Sequence, residues 1–310
     1  MALSMIWIAI RHSWISFPWK PINFVLNTAG FGGVDAFLFL SGFGIYFACK
    51  KEKTYFEFMK KRLLRILPYS LLVMFLLFLF GKKTIFDALI QGTGLSLWFR
   101  IDWMQWYTSF IIFIYALTPL YYRIFKKKPI VVTTACVICV ILLCQFLNAR
   151  NIYIFSRIAI YALGFLFGYY FDTKPDLNIW WTQIFFVIGW VWEFYKMHYC
   201  NILIDGIPQI QYTRGFFLII PGMLLLLAYI IDRIQFLVKP LSWLGSYSFQ
   251  FYLVHEEILS WLYEYYGLLY RPGIHFDLLI NIAAMLLSLL VAIFIKHSAD
   301  YILRIARIKI

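Results

Sequence analysis

The run MIWIAIRHSWISF (5–17) is apolar except for Arg11 and His12, set side by side in its middle. Histidine is the side chain best suited to take up a proton near neutral pH, which makes His12 a candidate general base. A second apolar run begins near Phe31 and carries one carboxylate, Asp35. A carboxylate beside a histidine orients the ring and raises its basicity, so a His12–Asp35 pair would deprotonate a hydroxyl. The stretch FMKKRLLRILPY (58–69) holds Lys60, Lys61, Arg62 and Arg65. Arg62 and Arg65 are three apart and share a helix face. Two guanidiniums with ammoniums beside them at a helix start suit a phosphate group, or anchor the helix on anionic lipid. A third group, His255, Glu256 and Glu257, is consecutive within the apolar run 245–266.

These residues lie in a chain of 310 residues that is 63% hydrophobic, 21% aromatic and only 14% charged. Its mean hydropathy is +0.78. Soluble domains average about 25% charged residues, and no soluble fold of this size hides so much apolar surface. The net charge of +13 does not indicate nucleic acid, because the basic residues cluster at helix ends, as topology signals do. The five cysteines, Cys49, Cys136, Cys139, Cys144 and Cys200, show no paired metal-binding pattern and read as small buried hydrophobes. The first apolar run lacks a basic n-region and a small-residue cleavage site, so no cleavable signal peptide is expected.

Ten apolar runs are candidate transmembrane helices: roughly 3–17, 31–49, 64–81, 104–124, 130–148, 152–171, 179–197, 215–231, 245–266 and 276–303. The predicted fold is an all-α polytopic bundle forming one domain over 1–310. Segment 85–99 holds Asp87, Gln91 and two glycines, and reads as re-entrant or interfacial. Loops on one side, including 50–65, 123–128 and the C-terminal end, carry about 18 basic residues, against about nine on the other. The heavier side is expected to face the cytoplasm, with both termini inside a bacterial plasma membrane.

On this topology the first run ends near Pro18, and His12 lies roughly 9 Å below the outer end. Asp35 lies roughly 6 Å below the same surface on the returning helix, so the two are expected to meet. The competing reading is a polar pair that locks two helices, or an unpaired Asp35 near the headgroups. His255 falls near mid-membrane, where three ionisable groups do not face lipid. Glu193 is read as interfacial or as a sugar contact. Arg157 opens its span from outside, pairing with Asp35 or Glu193 or anchoring the helix. His198, His275 and His297 read as interfacial. Trp103, Trp106 and Tyr107 suit an outer aromatic belt or stacking on a sugar ring. Ser41 lacks a Gly-x-Ser-x-Gly setting and is expected to allow close helix approach.

Several segments resemble the membrane acyltransferase-3 family of O-acyltransferases. GVDAFLFLSGFGIYFACKKE (33–52) is similar to its acidic, Ser-Gly-Phe second helix. FMKKRLLRILPY resembles its Arg-x-x-Arg third helix, and WYTSFIIFIYALTPLYY (106–122) its Trp-rich helix ending in Pro. SRIAIYALGFLFG (156–168) resembles its Arg-then-Gly-x-x-x-Gly helix, and LGSYSFQFYLVHEEIL (244–259) its Tyr-Leu-x-His helix. The five segments run in family order across most of the chain. The family's first helix has an Arg, ten intervening residues and a His regarded as catalytic. His12 matches that His, but the Arg falls at position 1, which is Met1. Arg11 points elsewhere. The short first run and this departure lead to the expectation that the helix starts upstream of Met1.

The resemblance implies an acyl-CoA, most often acetyl-CoA, bound from the cytoplasm by Arg62, Arg65 and Lys61. His12 with Asp35 would act as general base on a hydroxyl of a cell-surface or lipid-linked glycan, or carry the acyl group briefly. Apart from the resemblance, the depth of His255 and Glu256 suits acceptor or thioester binding or helix-packing polar contacts, and Arg157, Glu193 and Trp106 are further candidate substrate contacts. No metal is implied. The rival functions are a polysaccharide or small-molecule transporter or flippase, and a non-catalytic scaffold. A transporter favours two related halves with broken helices at matching positions, and no such symmetry is apparent. Thioester consumption separates the enzyme from both rivals.

Overall fold

A computed structural model of the chain describes residues 1–13, 32–52, 54–99, 106–147, 149–174, 180–199, 210–265 and 274–306. Every described element is a helix. In chain order these are α1 (Ala2–His12), α2 (Gly32–Lys51), α3 (Tyr55–Leu64), α4 (Leu67–Leu79), α5 (Ile85–Gly92), α6 (Ser96–Phe99), α7 (Trp106–Phe125) and α8 (Pro129–Cys144). They continue as α9 (Ala149–Phe155), α10 (Ile158–Thr173), α11 (Trp181–Tyr199), α12 (Ile210–Arg233), α13 (Gln235–Gly245), α14 (Ser248–Tyr265) and α15 (Ile274–Ile305).

The expected count of ten spans is not confirmed. Six stretches among the described residues are long and apolar enough to cross a membrane: α2, α3 with α4, α7, Tyr153–Thr173, Gly215–Arg233 and Leu278–Ile305. α1 and α8 are apolar but shorter. α14 occupies an expected run but carries three glutamates, and α11 carries Glu193 and Lys196. Segment 85–99 forms two short helices, α5 and α6, with α5 packed on α4 and capped by the Thr84 side chain, which accepts from Asp87 N–H.

α15 shows what solvent the bundle meets. Its large apolar side chains Leu279, Leu286, Leu290 and Phe294 are exposed, while Ala284, Ser288, Ala292 and Ala299 are buried. Small residues inward and bulky apolar residues outward is the arrangement of a helix packed in lipid.

The tightest helix pair is α2 with α10, and glycines make it possible. A Cβ on Gly42 would collide with the Tyr161 carbonyl, and one on Gly164 with the Phe39 carbonyl. A Cβ on Gly168 would lie 2.8 Å from the Phe43 carbonyl. The Gly-x-x-x-Gly spacing of α10 thus lets two backbones touch, as membrane helices with small residues do. The two helices run parallel, and ion pairs fix their register at both ends. Asp35 meets Arg157 at one end, with Nε to Oδ1 at 3.0 Å. Lys50 meets Asp172 at the other, at 2.7 Å, with the Tyr46 hydroxyl donating to the same carboxylate. Both partners are offset by 122 positions, so one register serves both pairs. Gly164→Val is expected to destabilise the protein by about 1–3 kcal/mol or more, because backbone cannot yield as a side chain does. Gly44→Ala, at a position with open space around it, should leave the thermal midpoint in detergent unchanged or slightly higher.

Candidate active site

The basic stretch 58–69 folds as a broken helix rather than as a helix start. The Thr54 and Glu57 capping box begins α3, and Arg65 caps its C-terminus. Pro68 lacks an N–H and its ring clashes with the carbonyl four residues back, so the chain breaks at Arg65–Ile66 and restarts as α4. Arg62 and Arg65 therefore sit at the break, just before the N-terminus of α4. Lys61 turns away from them. Its ammonium donates to both Glu52 oxygens at 2.7 Å and holds that carboxyl below the usual carboxylate range. Lys61 thus does not join the arginines.

Arg62 and Arg65 line a cavity of about 170 Å³. α7 gives it Tyr107, Ile111 and Tyr115, spaced by four on one helix face. α2 gives Val34, Phe37 and Ser41, and α14 gives Ser248, Phe249 and Tyr252. The direction of these helices orders the cavity. Ser41 and Tyr115, hydrogen-bonded at 2.9 Å, lie toward the arginines. Tyr107, two helical turns along α7 and roughly 12 Å away, packs against Tyr252 with ring centroids 5.1 Å apart. Arg62 and Arg65 have no ion-pair partner among the described residues, so both charges are available to an anion entering here.

Beyond the tyrosines lies the histidine cluster. His255 follows Tyr252 by one turn of α14, and His12 follows the cavity-lining Ile8 by one turn of α1. The two imidazoles meet edge to face, with centroids 5.1 Å apart. His255 is buried, stacked on Phe251, with Nδ1 2.8 Å from the Tyr252 carbonyl. That contact requires a proton on Nδ1 and leaves Nε2 as an acceptor in the neutral ring. His12 Nδ1 is 3.5 Å from Glu256 Oε1, a loose ion-pair distance. Both side chains are 35% exposed.

His12 does not meet Asp35. The short connection does make α1 and α2 neighbours, but their depths differ from the expected ones. A Cβ on Gly33 would touch Ile8, so residue 33 lies one turn below His12. Asp35 is deeper still, roughly 9 Å below His12 along the axis. There it is 2% exposed and faces Arg157, the partner named for it among the alternatives. Arg157 itself packs against two rings that also touch each other. Its guanidinium lies 3.9 Å from the Tyr153 ring centroid and 5.4 Å from that of Trp106, and it donates to the Tyr153 carbonyl at 2.5 Å.

Two further expectations change. Trp106 and Tyr107 are buried, not in an aromatic belt at the surface. Trp106 serves the buried arginine, and Tyr107 the cavity. Glu193 is also buried, against Gly215 of α12. Trp103, Cys200 and the connection 14–31 lie outside the described residues. The spacing Tyr107, Ile111, Tyr115 was a readable sign of a polar-edged helix face, though nothing in it named the facing helix.

In this helical bundle an arginine doublet lines a half-open cavity, and a histidine–carboxylate pair lies about one helical turn beyond the cavity's tyrosines. The chain belongs to the membrane acyltransferase-3 family: the family model, described as an acyltransferase domain, matches residues 2–297. No curated protein and no solved structure matches the chain. The protein is a multi-pass membrane acyltransferase by family and composition.

Proposed function

We propose that the protein moves an acyl group, acetyl in the first instance, from cytoplasmic acyl-CoA to a hydroxyl of a cell-surface or lipid-linked glycan. The observation that carries this reading is the line of groups from Arg62 and Arg65, through the cavity, to His12 and Glu256. Arg62 and Arg65 bind the CoA phosphates by charge-assisted hydrogen bonds. The acyl arm lies along the cavity past Ser41 and Tyr115. His12, oriented by Glu256, takes the proton of the acceptor hydroxyl, whose oxygen attacks the thioester carbonyl. The carbon–sulfur bond breaks, and the departing CoA thiolate recovers a proton from the imidazolium. Glu256 stabilises that imidazolium in the role first assigned to Asp35. The arginine end faces the cytoplasm of a bacterial plasma membrane, where the termini also lie, and the acceptor comes from outside.

Acyl-CoA titration tests the arginine site. Arg62→Ala combined with Arg65→Ala is expected to raise KM for acyl-CoA about 10- to 100-fold, as loss of charge-assisted bonds does, with a smaller change in kcat. Lys61→Ala, which removes an amine already held by Glu52, should change KM far less. Equal KM values for all three proteins would contradict the assignment.

A further inference from the structure

The arginine doublet sits at a break that its own helix does not secure. α4 restarts at Leu67 with no side-chain cap on its first turn. Tyr69 stands in that turn, four residues after Arg65. It is buried, and its hydroxyl donates to Asp300 Oδ1 at 2.7 Å. Asp300 belongs to α15, of which no described residue lines the cavity.

The same face of α15 reaches a second wall of the cavity. Lys296 precedes Asp300 by four residues, one helical turn. Its ammonium donates to the Ser246 carbonyl at 3.0 Å and lies 4.7 Å from the centre of the Tyr247 ring. Ser246 and Tyr247 form the joint between α13 and α14, directly before the cavity-lining Ser248 and Phe249. Beside these polar contacts Ile295 and Ala299 of α15 are buried in one apolar cluster with Tyr69, Val73, Leu253 and Val254. α15 thus ties the helix that restarts behind Arg62 and Arg65 to the start of α14.

We propose that Asp300, acting through Tyr69, and Lys296, acting through Ser246, are positioning residues that brace the arginine doublet against the start of α14 for binding of the CoA phosphates. The proposal rests on the acyl-CoA reading above and adds the residues that hold its donor site in shape. Charge separates such a brace from a direct contact. Asp300 is a carboxylate at the arginine end, so charge alone would make its removal tighten the binding of an anion. A brace gives the opposite sign.

The test measures Kd for CoA by calorimetric titration of the full-length protein in detergent. Asp300→Ala and Tyr69→Phe are each expected to raise Kd about 10-fold, as loss of a hydrogen bond to a charged group does. Asp300→Asn removes the same charge but keeps an oxygen to accept from Tyr69, and should stay within about 3-fold of the parent. Lys296→Met should weaken binding in the same direction, and Lys296→Arg, which still donates to the Ser246 carbonyl, should not. A variant that partly unfolds lowers the fraction of binding sites and leaves the Kd of the rest at the parental value, so the titration keeps the two effects apart. Unchanged or tighter binding in Asp300→Ala overturns the proposal. So do equal Kd values for Asp300→Ala and Asp300→Asn. A loss confined to Lys296→Met also overturns it and makes Lys296 a direct phosphate contact. Each of these results leaves CoA binding by the parent standing, whereas a parent that does not bind CoA overturns the acyl-CoA reading as well.

Discussion

His12→Ala is expected to lower acyl transfer about 10²- to 10⁴-fold, the range that a positioned general base contributes. The loss should fall on kcat, with KM for acyl-CoA nearly unchanged, because His12 lies outside the cavity and roughly a helical turn beyond its lining. Glu256→Gln should produce a smaller loss in the same direction, since glutamine still reaches the ring but does not stabilise its charged form. The His12 and Glu256 losses should be less than additive in the double variant, because one acts through the other. Additive losses would separate the two residues and remove Glu256 from the mechanism. The His12 variant should also retain the parental thermal midpoint, as its side chain is part-exposed and anchors no buried charge.

Arg157→Met is expected to be among the most damaging single changes to stability. It leaves Asp35 as an uncompensated charge in the bundle, and breaking a buried pair from one side costs about 3–5 kcal/mol. It also removes the cation packed against the rings of Trp106 and Tyr153. Asp35→Asn should be nearly as harmful for the mirror reason. The double variant Asp35→Leu with Arg157→Met removes both charges together and should recover much of the loss. Thermal unfolding in detergent reads all three. If the single variants instead keep the parental midpoint and lose only turnover, then Asp35 contacts substrate and its pairing with Arg157 is not a helix lock.

The contrast between His12 and Asp35 shows what the sequence could and could not give. Ionisable side chains inside apolar runs are costly, so His12, Asp35, Arg157 and His255 all stood out as groups needing partners. The all-helical architecture was readable for the same reason, since composition is local, whereas the close approach was expected at Ser41 and is made by Gly42, Gly164 and Gly168. The partners were not readable, because pairing depends on the relative depth of two helices. An error of about eight residues in the depth of α2 relative to α1 moved Asp35 roughly 12 Å, from just outward of His12 to well below it, and exchanged its partner. The shared helix face of Arg62 and Arg65 was legible from spacing alone, and both line the cavity. Lys61, in the same basic stretch, was not separated from them until the break at Pro68 and the Glu52 contact were visible. The number of spans suffered likewise. α14 carries glutamates that a bundle interior tolerates, and apolarity cannot distinguish such a helix from a surface one.

The central claim is that a thioester is consumed from the arginine side and its acyl group delivered toward His12. Sealed vesicles of defined orientation, supplied with acyl-labelled acetyl-CoA on the Arg62 and Arg65 side only, test it most directly. Free CoA on that side with label covalently bound to a glycan acceptor on the opposite side, both lost in His12→Ala, is the expected result. Movement of glycan or donor across the membrane with the thioester intact would contradict the account and identify a transporter instead.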